Sequence, residues 1–149
     1  MTAVFYLLTV QIALGAFDNL WHHRISEKLP QRRVAALETA LHAAREGLYV
    51  GIFFTLAWWQ PHGLWAWVLL GVLVIELLIT VLDFLIEDGS RRRPRLERVL
   101  HTILAVNAGA ILASLMPALL SWSELAVGFA NVDYGLWSWF LTASALGAL

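Results

Sequence analysis

Long apolar runs, each interrupted on one side by a few charged residues, set the pattern of this chain. Residues 2–17 are apolar, residues 18–46 alternate between charge and hydrophobicity, and residues 47–59 are apolar again. A second cycle follows, with an apolar run over residues 64–86, a charged stretch to residue 98 and another apolar run to about residue 120. Helices of about 20 residues cover a ~30 Å hydrocarbon core, so these runs predict membrane-spanning helices over residues 2–23, 34–59, 64–88 and 95–120. Residues 135–149 are apolar but short, and form either a fifth transmembrane helix or an interfacial segment. The expected fold class is all-α, an integral membrane up-down four-helix bundle with this short fifth helix, and residues 1–149 form one transmembrane domain. Pro30 marks a break before the second helix, while Gln60-Pro61-His62-Gly63 predicts a tight turn with His62 in solvent. Residues 121–134 read as a loop.

Composition supports the membrane assignment: 60% of the residues are hydrophobic and 14% charged, and the mean hydropathy is +0.70. Apart from Arg45, every Lys and Arg lies in residues 24–33 or 91–98. By the positive-inside rule, the basic loops 24–33 and 89–95 are cytoplasmic and the N-terminus is outside, as for a protein of the bacterial inner membrane. Trp58, Trp59, Trp65, Trp67, Trp137 and Trp139 stand near the ends of the runs, where aromatic rings anchor at the interface. With no cysteine, thiolate metal sites and thiol catalysis are excluded. The arginine tracts read as topology signals and not as nucleic-acid contacts.

The polar residues inside the runs fall on single faces, taking about 100° per residue. On the first helix these are Gln11, Asp18 and His22; on the second, Glu38, His42, Arg45, Glu46 and Tyr49. On the third they are Glu76, Thr80, Asp83 and Glu87, and on the fourth Glu97 and His101. Up-down connectivity brings the end of the first helix, the start of the second, the end of the third and the start of the fourth to one side. Asp18, His22, Glu38, His42, Asp83, Glu87, Glu97 and His101 are therefore expected to converge near the cytoplasmic leaflet. Each charge at a helix centre costs roughly 2.5–3.5 kcal/mol in lipid, so a group of them calls for a common reason.

Imidazoles and carboxylates together form a hard N/O ligand set that suits two transition-metal ions, with iron first and zinc or manganese as alternatives. The expected function is then a di-iron membrane oxidase or hydroxylase acting on a lipid-soluble substrate, with electrons from a cytoplasmic donor. Glu46 and Glu76 would serve as bridging or proton-path carboxylates, and Tyr49 as a substrate-side donor or redox participant. Three other readings fit the same residues: a zinc-dependent membrane hydrolase, an ion, proton or metal transporter using Glu76, and a structural subunit. In the last, the stripe holds the bundle together and arginines neutralise acids, Arg45 pairing with Glu46, for instance.

The ligand types resemble the ferritin-like di-metal carboxylate bundles, although the spacing here is carboxylate-x-x-x-His, as in Asp18/His22, Glu38/His42 and Glu97/His101. The H-x-x-H-H boxes of membrane desaturases and hydroxylases do not occur in the sequence. The strings FDNLWHH, ETALHAARE, ITVLDFLIED and RLERVLHTILAVNAGA also resemble a family of small bacterial membrane modules, some joined to NAD-dependent epimerase-like domains. That resemblance implies an NAD-dependent partner, since the chain carries no Gly-rich dinucleotide motif of its own.

Overall fold

A computed structural model describes residues 1–18, 20, 36–90 and 95–147, with the side chains of residues 36–39, 87–90 and 97 outside the description. Five α-helices account for most of it: α1 Thr2–Phe17, α2 Ala36–Trp58, α3 Leu64–Ser90, α4 Arg95–Ser123 and α5 Leu136–Gly147. The all-α expectation holds. Helix α3 runs through Gly89 to Ser90, past the expected end, because a lone glycine lowers helix propensity by only about 1 kcal/mol. Helix α4 likewise continues past Leu120 to Ser123 and carries Pro117 in its interior.

Two short strands replace what read as a turn and a loop. β1 (Trp59–His62) pairs antiparallel with β2 (Gly128–Asn131), in the register Trp59 to Asn131 and His62 to Gly128. Pro61 lacks an N–H, which a two-stranded ribbon tolerates because each strand has a free edge. Gly63 takes a left-handed φ of 57°, and its N–H donates to the Trp122 carbonyl at 2.8 Å. The ribbon therefore staples the α2–α3 corner onto the end of α4. His62 is half-buried in this ribbon, with its Nε2 covered.

Packing follows the apolar stripes. α1 lies on α4, α4 on α3, α3 on α2 and α2 on α5. The core between them contains Val4, Phe5, Leu8, Ile52, Leu56, Leu115, Leu119, Leu141 and Ala145. Phe5 stacks on Trp137 with centroids 5.5 Å apart, which brings the start of α5 against α1. Ser138, fully buried, donates to the Ala57 carbonyl at 2.6 Å and accepts from the Tyr134 N–H, so α5 is pinned to α2 by a satisfied polar contact. Helices α3 and α4 are long and apolar enough to cross a membrane, over Leu64–Ile86 and Arg98–Ser123.

Candidate functional site

The polar residues of the stripes form a seam between the helices. At its deeper end, Asn107 on α4 donates to the Gln11 side-chain carbonyl at 2.8 Å and to the Leu7 backbone carbonyl at 2.9 Å. Gln11 in turn donates to the Tyr49 hydroxyl at 3.0 Å, so a single amide links α1, α2 and α4. Glu76 on α3 is 4% exposed and accepts from Thr80 Oγ1 at 2.8 Å, one turn along the same face.

Arg45 lies next along the seam. It is buried, and its guanidinium reaches across to α3, with Nη1 3.1 Å from Asp83 Oδ2 and Nε 3.6 Å from Glu76 Oε1. The i, i+1 neighbour Glu46 is the partner expected for it from sequence, but a guanidinium on α2's inward face also reaches the acids of the facing helix. His42, one turn before Glu46, places Nδ1 3.4 Å from the same Asp83 Oδ2. Asp83 is fully buried, and its second oxygen, Oδ1, has no hydrogen-bond partner among the described residues. An ionised carboxylate has about four lone-pair sites, so this oxygen is an incompletely used acceptor.

A second carboxylate–imidazole pair joins α1 to α4. Asp18 Oδ2 lies 3.0 Å from His101 Nε2, with both residues 3% exposed. Asp18 caps α1 in helical conformation, its N–H donating to the Leu14 and Gly15 carbonyls. Phe84 stacks flat on the His101 ring, with centroids 4.4 Å apart and planes within 7°. Because Phe84 follows Asp83 directly, the Asp18–His101 and His42–Asp83 pairs flank one turn of α3.

Four of the eight expected metal ligands, Asp18, His42, Asp83 and His101, thus lie at one level. Two contacts between helices are seen among them, Asp18 with His101 and Asp83 with His42. Among the described residues, no group of three or more His, Asp or Glu side chains is close enough to hold an ion. His22 lies outside the described residues, as do the side chains of Glu38, Glu87 and Glu97. Of the three residues expected to take part in catalysis, Tyr49 and Glu76 belong to the deeper seam, while Glu46 is half-buried beside His42 and Arg45.

A cavity of about 270 Å³ opens next to this level, between α1, α2, α4 and α5, with His42, Arg45, Glu46 and Tyr49 on its polar side. Sequence faces alone gave no sign of it, since it depends on how α5 closes against α2. No family model, curated protein or solved structure matches the chain.

Proposed function

We propose that this chain is a membrane-embedded metal-binding protein, a di-metal oxidoreductase in which iron acts on a lipid-soluble substrate. The observation that carries the reading is the level at Asp83. A buried carboxylate–imidazole pair, Asp18–His101, and a half-buried one, His42–Asp83, flank one turn of α3, and a fully buried carboxylate oxygen there has no hydrogen-bond partner among the described residues. Among the described residues, Asp18, Glu76 and Asp83 are buried carboxylates, Asp18 in contact with His101 and the other two facing Arg45. His22, Glu38, Glu87 and Glu97 fall one helical turn from the pairs by sequence spacing, and would complete an N/O set for two ions.

The membrane location is supported by α3 and α4, whose apolar windows are only 22% and 28% buried. A helix in a soluble core is covered by protein; these leave Leu78, Leu85 and Val106 more than half exposed, as lipid-facing residues are. An orientation with the N-terminus outside and both basic loops cytoplasmic, as in a bacterial inner membrane, is supported by the distribution of Lys and Arg.

Elemental analysis of protein purified from metal-replete cells tests the reading. Bound iron near two equivalents, lost in His101→Ala and Asp83→Asn, is the expected result; zinc in its place would point to hydrolysis. Absence of any transition metal, with unchanged composition in both variants, would overturn it. The ion pairs of Arg45 favour a second reading, in which the seam holds the helices together and nothing more. That reading expects the same variants to lower thermal stability without changing metal content.

A further inference from the structure

We infer that the β1–β2 ribbon is a phospholipid-docking surface, seated at the boundary between headgroups and acyl chains in the leaflet opposite the Asp83 level. The inference rests on the membrane part of the reading above and not on bound metal.

Strand alternation decides what each edge of the ribbon offers. The Val132 N–H donates to the Trp58 carbonyl at 2.9 Å, one step beyond the register pair of Trp59 with Asn131. Hydrogen-bonded and open pairs alternate in an antiparallel ladder, so Gln60 bonds with Ala130 and His62 with Gly128. Phe129 and Asn131 then turn their N–H and C=O groups away from β1, and among the described residues no backbone group meets them. On β1 the matching outward position falls on Pro61, which has no N–H to leave unpaired. Hydrocarbon cannot satisfy an open strand edge, so β2 needs water or headgroup oxygens beside it.

One face of the same ribbon makes the opposite demand. Trp59, Pro61, Phe129 and Asn131 share that face; Phe129 packs on Trp65 with centroids 5.1 Å apart, and Trp59 on Phe54 at 6.4 Å. All four rings are exposed, and such a patch is disfavoured in bulk water. The apolar surface continues onto α3, where Leu64, Val68, Ile75, Leu78 and Leu82 form an exposed stripe at i, i+4, i+11, i+14 and i+18. Only the interfacial layer meets both demands, with polar groups for the open edge and apolar depth for the rings. The strands carry no Lys, Arg, Asp or Glu, so the contact needs no charged headgroup.

This seat also sets the depth of the polar seam. Gly63 alone separates the ribbon from α3, and along that helix Ile75 lies about 16 Å and Asp83 about 28 Å beyond Leu64. With a ~30 Å hydrocarbon core, Ile75 comes near the centre and Asp83 near the far boundary, where cations arrive from water.

The chain has no cysteine, so single-cysteine variants take a nitroxide label at one chosen position. The test places the full chain in phosphatidylcholine liposomes and reads depth from collisions of the label with oxygen and with a water-soluble nickel chelate. Labels on Phe129→Cys and Asn131→Cys should lie about 5–10 Å below the phosphates, and the label on Ile75→Cys about 10 Å or more deeper. Ribbon labels as open to nickel as a nitroxide free in water overturn the inference, as do ribbon labels as deep as Ile75. Dipolar broadening between ribbon labels of different chains would assign the surface to a second copy and overturn it as well. A lipid-buried label at Ile75 with aqueous ribbon labels sinks the inference alone; an aqueous label at Ile75 sinks the membrane reading with it.

Discussion

Replacing Arg45 with leucine removes the guanidinium that faces two buried acids. At 3.1 Å from Asp83, with an effective dielectric near 20, the Coulomb attraction is about 5 kcal/mol before desolvation is subtracted. Asp83 is fully buried and Glu76 nearly so, and neither can turn to water once the guanidinium is gone. Breaking a buried pair from one side costs roughly 3–5 kcal/mol, because the remaining charge is uncompensated. For a chain of this length each kcal/mol corresponds to about 2–4 °C, so the thermal midpoint should fall by roughly 6–20 °C. The eight tryptophans allow the transition to be followed by fluorescence in dodecyl maltoside. Adding Asp83→Leu to Arg45→Leu should recover the part of the loss that comes from Asp83, while Glu76 stays buried with its Thr80 donor. A single variant within about 2 °C of the parent, or a double variant worse than the sum of the singles, would refute the picture of Arg45 as the neutralising group of the seam.

His101→Phe keeps a ring stacked on Phe84 but removes the imidazole that Asp18 contacts; a loss of roughly 1–3 kcal/mol is expected in the same melt, and, on the proposed metal reading, a loss of bound metal by elemental analysis. Asn107→Leu removes the amide that joins α4 to Leu7 and Gln11, and should cost about 0.6–1.7 kcal/mol per hydrogen bond; an unchanged midpoint would mean the amide network contributes nothing. Gly63→Ala demands a left-handed φ and sets a Cβ 2.9 Å from the Val127 Cα, so a loss of about 1–3 kcal/mol is expected, with the ribbon end loosened in hydrogen exchange.

The helices were legible because apolar period and length constrain them strongly. α2, α3 and α4 start within two residues of where the apolar runs place them, and the inward faces bearing Gln11, Arg45, Asp83 and His101 follow from spacing alone. The ribbon was not legible. Trp59-Gln60-Pro61-His62 has no alternating pattern, and its partner strand Gly128–Asn131 is recruited from almost seventy residues away by the close of the α2–α3 and α4–α5 corners. The pairing of acids with bases was half legible: spacing along one helix said which residues share a face, but only the packing of α1 on α4 and α2 on α3 decides that Asp18 meets His101 and Asp83 meets Arg45. The cavity depends on α5, whose position no stripe on α1–α4 specifies.

The two readings of the seam differ in what Arg45 does when a cation arrives. As placed, the guanidinium bridges two acids, close to Asp83 and looser on Glu76, so a modest swing would transfer it wholly to Glu76. Thr80 already donates to Glu76 Oε1, and Glu76 lies about two turns deeper than Asp83 on the same face. Such a swing would free Asp83 to join His42, Asp18 and His101 without leaving Glu76 unneutralised, whereas an arginine held by Asp83 alone would have to be expelled into lipid. On the proposed metal reading, the second acid would keep the arginine neutralised beside a cation. In a purely structural seam, Glu76 would be an added charge for Arg45 to offset, at a burial cost of roughly 2.5–3.5 kcal/mol and with no geometric need, since Asp83 already ties α2 to α3.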